Sequence, residues 1–222
     1  MKVITMDKVK KLIEIIEESK HIVFFGGAGV SVESGIPDFR SANGLYSEKS
    51  IIPVESILSH TFFINHPDKF YDFYKNKMIY LDAKPNPCHM ALAYFEKIGK
   101  LSCVITQNID NLHTMAGSKN VYNLHGSIYS NHCMKCNKWF DIDYIINTNG
   151  VPKCDECGGI VKPDVVLYEE SLDMDVLTKS IEEIEKADTL IIGGTSLTVY
   201  PAAGLVRYFN GKNLIIINKS VS

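Results

Sequence analysis

The stretch Phe24–Arg40, FFGGAGVSVESGIPDFR, decides the fold. An apolar run enters Gly26-Gly27-Ala28-Gly29, where glycines let backbone N–H groups approach a phosphate, with the N-terminus of a following helix behind them. The spacing is not a full G-x-G-x-x-G, because Val32 stands in the third glycine's place. Taken alone, the turn reads equally well as a tight connection or as a nucleotide loop. The chain then inserts Gly35-Ile36-Pro37-Asp38-Phe39-Arg40, which puts an acid, an aromatic ring and a guanidinium on a proline-stopped loop.

Outward from this stretch, short apolar runs alternate with helix-length amphipathic segments: HIVFF, LSCVIT, VYNLH, DVVLY, TLIIGG and LIIIN. Runs that are β-branched without alternation suit strands buried on both faces of a parallel sheet. Asn86-Pro87 opens one intervening helix with a cap and a first-turn proline. The fold class is α/β, a doubly wound parallel (Rossmann-like) sheet with a helical insertion and a small four-cysteine zinc module. Residues 1–40, 86–128 and 162–222 are expected to form the Rossmann-like domain. Residues 41–85, rich in aromatics, and 129–161, which hold the cysteine pairs, are expected to form the small domain together.

The 222 residues carry a net charge of −3, with 45% hydrophobic and 22% charged residues. That balance gives no general attraction to nucleic acid or anionic membrane. The first twenty residues place Val9, Leu12, Ile13 and Ile16 on one face of an amphipathic helix rather than in a secretory core. No run approaches the roughly 18 apolar residues of a membrane span. A cytoplasmic protein is expected, with a monomer favoured.

In a doubly wound sheet, ligands bind beyond the carboxyl ends of the strands. Here those ends carry Gly27-Ala28-Gly29, then Gln107-Asn108-Ile109-Asp110, His125, Gly194-Thr195-Ser196 and Asn218. Hydroxyls of Thr195 and Ser196 can meet a phosphate, and the Asn218 amide can meet a ribose or base edge. Each is also an ordinary polar strand cap. His125 is suited to accept a proton from a sugar hydroxyl near neutral pH, although a single histidine at a strand end is more often structural. Its weight comes from the company of Asn108 and Asp110.

Four of the six cysteines form Cys133-x-x-Cys136 and Cys154-x-x-Cys157, separated by 17 residues. This is the spacing of a four-cysteine structural zinc site, whose four thiolates close the coordination sphere. His132, adjacent to the first pair, is the alternative ligand.

The motifs GAGVSVESGIPDFR, TQNIDNLH, LHGS, the two cysteine pairs and GTSLTVYPAAGL occur in the order seen in sirtuins. The chain resembles that family over essentially its whole length, and most the compact bacterial and archaeal members. The resemblance implies an NAD-dependent protein-lysine deacetylase (deacylase), an acyl transferase that releases nicotinamide, free lysine and O-acetyl-ADP-ribose. NAD would be held by Gly27, Ala28, Gly29, Asp38, Phe39, Arg40, Gln107, Asn108, Ile109, Asp110, His125, Gly194, Thr195, Ser196, Asn218 and Lys219. Phe39 would shield the reacting ribose carbon, with Asp38 and Arg40 anchoring its loop. Asn108 and Gln107 would position the ribose, Ile109 and Asp110 the nicotinamide carboxamide, and His125 would be the general base.

The acyl-lysine peptide would lie as an added strand between Val165–Glu170 and Leu197–Tyr200, touching Phe39, Val166, Leu167, Tyr168, Leu197 and Val199. Two departures stand out. Tyr168-Glu169-Glu170 replaces the Phe-Gly-Glu of many sirtuins, and loss of that glycine is expected to forbid an easy positive φ. Val32 replaces a hydroxyl residue. Tyr71-Asp72-Phe73-Tyr74 lacks the arginine of the Tyr-x-x-Arg pair that meets acidic acyl groups, so weak desuccinylation is expected. The sequence runs only to Ser222, short of the further strand and terminal helix that the resemblance implies beside the adenine. Protein mono-ADP-ribosylation is the alternative activity, and a non-catalytic NAD-sensing or protein-binding module the alternative class.

Overall fold

The computed structural model describes residues 6–40, 44–47 and 52–219. Parts of three expected segments lie outside the described residues: 1–5 of the N-terminal helix, 41–43 and 48–51 of the helical insertion, and 220–222.

A five-stranded parallel sheet runs in the order β3-β2-β1-β7-β8. Its strands are β1 (Ile22–Gly26), β2 (Leu101–Thr106), β3 (Val121–Asn123), β7 (Thr189–Gly193) and β8 (Asn213–Ile217). The chain builds outward from β1 in one direction through β2 and β3, then returns to the other side of β1 with β7. The topological switch point therefore lies at the end of β1, where the glycine turn begins.

Both faces are covered over β1, β2 and β7, where neighbouring residues point into different cores; edge strand β8, expected from LIIIN to be buried, leaves Leu214, Ile216 and Ile217 exposed. Val23, Phe25, Cys103, Ile105, Leu190 and Ile192 belong to one cluster; Ile22, Phe24, Leu101, Val104 and Ile191 belong to the other. That two-sided burial is why these strands are apolar without alternation. Helix α8 (Met174–Lys186) supplies Ile184 to the first cluster, and α5 (Pro87–Lys97) supplies Leu92 to the second. Helix α1 (Met6–Glu18) leans on the second cluster through Ile16, while Val9 and Ile13 stay exposed, so the packed face is narrower than the sequence suggests.

A second, three-stranded antiparallel sheet has the order β5-β4-β6: β4 (Gly126–Cys133), β5 (Trp139–Phe140) and β6 (Val161–Val165). The DVVLY run thus differs from its expected place in the parallel sheet. Its first two residues end β6, whose residues alternate between buried and half-buried as one-sided strands do, and Val166–Tyr168 follow as a loop. Short helices α2 (Val54–Ile57), α3 (His60–Asn65) and α4 (Pro67–Lys77) pack beside this sheet, with α7 (Ile142–Asn147) below. Phe63, Phe70, Tyr71 and Tyr74 bury their rings against Ile128, Phe140, Ile145 and Val161. Among the described residues, no helix is long and apolar enough to cross a membrane.

Asn86 ties α5 to the glycine turn. Its side-chain oxygen accepts from Cys88 N at 2.9 Å, and His89 Nδ1 accepts from Asn86 N at 3.2 Å, forming a capping box. Its amide nitrogen donates to Val30 O at 2.7 Å and to Ser34 Oγ at 3.0 Å. Asn86→Ala removes the cap and both ties, so urea unfolding should show a loss of about 1–2 kcal/mol.

Candidate active site

The turn after β1 is held against the end of β7 by backbone alone. Gly27 N donates to Gly193 O at 3.1 Å, and Gly29 N to Gly194 O at 2.8 Å. A β-carbon at Gly29 would lie 2.8 Å from Gly194 Cα, and one at Gly194 2.4 Å from Val30 N. The glycines are thus required by contact within the protein as well as by any phosphate. The expected α-helix does not follow. Two 3-10 turns, Ala28–Val30 and Val32–Ser34, lead to Gly35 at φ 87°, and the chain leaves toward Pro37. A helix N-terminus is therefore not part of this loop, and any anion there meets individual amides.

Three residues from two elements meet beneath the turn. Ser31 Oγ donates to Asp110 Oδ2 at 2.5 Å and accepts from Asn108 Nδ2 at 3.0 Å. Asn108, itself buried, is fixed by its own N–H on Thr106 Oγ1 at 3.0 Å. Asp110 Oδ1 accepts from Leu112 N at 3.0 Å, which opens the short helix α6 (Leu112–Met115). Ser31 was not singled out from the sequence. Its signal is a hydroxyl two residues beyond the glycine turn, but its partners lie 77 and 79 positions away.

His125 stands at the crossover from β3 of one sheet to β4 of the other. Next to it, Gly126 has φ 75°, and a β-carbon there would collide with Asp164 O. The ring Nδ1 pairs with Gln107 O at 3.0 Å. A carbonyl only accepts, so Nδ1 carries the proton and Nε2 keeps its lone pair. Burial lowers the His125 pKa, against the hydrogen bond to Gln107, which raises it. The ring is therefore neutral at neutral pH.

From the other side, Gln107 Nε2 donates to Thr195 Oγ1 at 3.2 Å. Asn218 braces the same residue, accepting from Thr195 N at 3.1 Å and donating to Thr195 O at 2.8 Å. Ser196 pairs with Thr198 at 2.8 Å at the surface, and Lys219 is exposed. These two are not drawn into the network.

The loop of Asp38, Phe39 and Arg40 is folded back on Tyr46. Leu45 N and Tyr46 N donate to Asp38 O and Phe39 O, the Phe39 ring meets the Tyr46 ring edge-on at 5.5 Å, and the Arg40 guanidinium lies over it at 5.3 Å. Tyr46 and Tyr168 share a hydroxyl hydrogen bond of 2.7 Å, joining this loop to the segment after β6. Phe39 and Ile109 pack on the small-sheet core. Val166 N donates to His125 O at 3.0 Å, so Val166, Leu167 and Tyr168 continue directly from the histidine. Leu197, which packs against the same core cluster as Val166, turns with φ 54° and its N–H reaches Thr195 Oγ1 at 3.2 Å, with Val199 following half-buried. Glu169 has φ 74°, so the replacement of glycine has not excluded a left-handed turn.

The four cysteines converge. Sγ of Cys133, Cys136, Cys154 and Cys157 all lie within 4.8 Å of one another, with 3.4 Å between Cys133 and Cys157 and 3.6 Å between Cys136 and Cys154. Tetrahedral zinc with sulfur at about 2.3 Å requires sulfurs about 3.8 Å apart, so the set fits that ion. His132 is turned away, pairing with Asp164 at 2.7 Å.

The Sir2 family model matches residues 27–201. An NAD-dependent protein deacetylase of Clostridium acetobutylicum is 61% identical over 220 residues, 98% of this chain and 90% of the relative. A solved Sir2 variant with deacetylated p53 peptide and 3′-O-acetyl ADP-ribose matches with a TM-score of 0.89 and 39% identity, covering 96% of this chain and 88% of its own. A Sir2 with p53 peptide and NAD+ matches with a TM-score of 0.85 and 39% identity, covering 97% and 88%.

Removing zinc leaves four converged thiols with no centre. A zinc chelator should lower the thermal midpoint by about 10 °C or more, and proteolysis should then cut between Cys133 and Cys157.

Proposed function

The chain belongs to the Sir2 family, and on that premise we propose that it is an NAD-dependent protein-lysine deacetylase yielding nicotinamide, free lysine and O-acetyl-ADP-ribose. The observation that carries this reading is His125, neutral, with its Nε2 lone pair free and its carbonyl bonded to the first residue of the peptide-facing segment. Bound NAD supplies a ribose carbon that takes up the acyl oxygen as nicotinamide departs. The protein's task is to hold that ribose, exclude water and move one proton.

The turn Gly27–Gly29, with Gly194, Thr195, Ser196, Asn218 and Lys219, is assigned to the phosphates and adenosine of NAD. Support comes from a rim that offers backbone and small hydroxyls where side chains would collide. Asn108, Gln107, Ile109 and Asp110 are assigned to the nicotinamide ribose and carboxamide. The Ser31 bridge keeps the Asn108 amide and Asp110 carboxylate at fixed separation, which spares the reaction their reorganisation. Asp38, Phe39 and Arg40 cover this end, Phe39 excluding water. His125 Nε2 takes the proton of a ribose hydroxyl, and the Gln107 carbonyl stabilises the imidazolium that forms.

The acyl-lysine would enter between Val166–Tyr168 and Leu197–Val199. Its acyl group would meet the small-sheet core, where Tyr71 and Tyr74 are buried and Tyr74 lies stacked on Phe70. No arginine stands at position 74 to meet a carboxylate, which supports acetyl over succinyl substrates.

Incubation with an acetyl-lysine peptide and NAD, followed by mass spectrometry, should show deacetylation only with NAD and with stoichiometric O-acetyl-ADP-ribose. A peptide that gains ADP-ribose would instead identify a transferase. His125→Ala should lower kcat by about a hundredfold or more. The active ring is neutral and its pKa is depressed, so kcat/KM should hold down to pH 6.5, the ordinary histidine value, and fall only below it. Succinyl-lysine turnover equal to acetyl-lysine turnover would overturn the acyl assignment.

A further inference from the structure

Glu169 is one of four non-glycine residues with positive φ among the described residues, with Asn111, Asn137 and Leu197. Asparagine tolerates the left-handed region; glutamate does not by itself, because its β-carbon crowds the following carbonyl. Something outside residue 169 must hold it there.

The holding contact comes from the helical insertion. Glu169 Oε2 accepts from the backbone N–H of Thr61 at 2.9 Å, near the start of α3. The backbone of the preceding residue is paired to the same place: Tyr168 N donates to Leu58 O at 2.9 Å, and His60 N donates to Tyr168 O at 2.9 Å. The next residue closes the turn from within. Glu170 N donates to Leu167 O at 3.1 Å, while its carboxylate accepts from Leu167 N at 2.9 Å, Lys162 Nζ at 3.0 Å and His60 Nδ1 at 2.8 Å. Glu170 thus shapes the turn, and Glu169 fastens it to α3.

We infer that Glu169 is a positioning residue for substrate peptide: its carboxylate, held by the Thr61 amide, keeps Leu167–Glu170 in the left-handed turn that presents the peptide-binding edge. This rests on the reading that Val166–Tyr168 receives the acyl-lysine peptide. The physical consequence is specific. The turn is favoured by an acceptor at the end of side chain 169 or by the absence of a β-carbon. A residue with a β-carbon and no acceptor keeps the steric cost and leaves the turn to the Tyr168 and Glu170 bonds alone.

Three variants of the full chain separate these cases. Glu169→Gln keeps an acceptor oxygen. Glu169→Ala loses the acceptor and keeps the β-carbon. Glu169→Gly loses the acceptor and also the conformational penalty. With acetyl-lysine peptide and NAD, Glu169→Ala should raise the peptide KM about tenfold, with Glu169→Gln and Glu169→Gly within about threefold of the unsubstituted protein. The KM for NAD should not change in any of them.

An alanine variant with unchanged peptide KM sinks the inference. So does equal impairment of Ala and Gly, which would mark a direct substrate contact rather than a hold on the turn. If the unsubstituted protein does not deacetylate at all, the functional reading fails and the turn is tested without substrate. Backbone amide exchange across Tyr168–Glu170 should then be faster in Glu169→Ala than in Glu169→Gln or Glu169→Gly, and equal exchange in all of them overturns it.

Discussion

The close approach of two glycine turns, Gly27–Gly29 and Gly193–Gly194, is the constraint on which the site depends. No side chain can enter between them: the distances from hypothetical β-carbons at Gly29 and Gly194 to the facing backbone are 2.8 and 2.4 Å. The contact joins the ends of β1 and β7, the two strands at which the chain reverses its direction of growth across the sheet. It therefore fixes the crevice that a doubly wound sheet opens at its switch point. Once the turns are seated, Val30 is presented to Asn86, Ser31 to Asn108 and Asp110, and Thr195 to Gln107. The residues of the rim are brought together by backbone packing and then locked by side-chain hydrogen bonds.

Two cores share the work around that crevice. Asn108, Asp110 and Thr195 stand on the ends of the parallel strands, which are rigid because they are buried on both faces. Phe39 and Ile109 lean on the small-sheet core instead. His125 belongs to neither alone, since the chain passes from one sheet to the other through it. The Gly126 φ of 75° and its contact with Asp164 set that passage. A side chain placed at such a junction can be oriented by one sheet, through Gln107, while its carbonyl holds the segment that follows the other, through Val166.

What the sequence made legible follows from how local each signal is. Buried parallel strands announce themselves by unbroken apolar runs, and the cysteine pairs by spacing alone. DVVLY misled because a short apolar run does not distinguish a two-sided strand from the end of a one-sided one. The alternation that would have placed it, from Val161 to Val165, begins three residues earlier and is blurred by Pro163. The helix expected after Gly29 is replaced by 3-10 turns because Ser31 and Ser34 are engaged by Asn108 and Asn86, partners far away in the chain. Ser31 went unassigned for the same reason.

The left-handed turn at Glu169 shows where a rule about one residue stops. Glycine is the usual solution to positive φ because it needs no help from elsewhere in the fold. A glutamate in the same conformation carries a steric cost that a contact from elsewhere in the fold must offset, here the bond from the Thr61 amide at 2.9 Å. The local preference is not violated; it is outweighed by a tertiary contact that no window of sequence contains. Such a turn is also conditional in a way that a glycine turn is not, because it requires α3 to be in place. The helical insertion is thereby made part of the surface around Tyr168–Glu170, with Tyr46 and His60 bonded to Tyr168 and Glu170 by their own side chains.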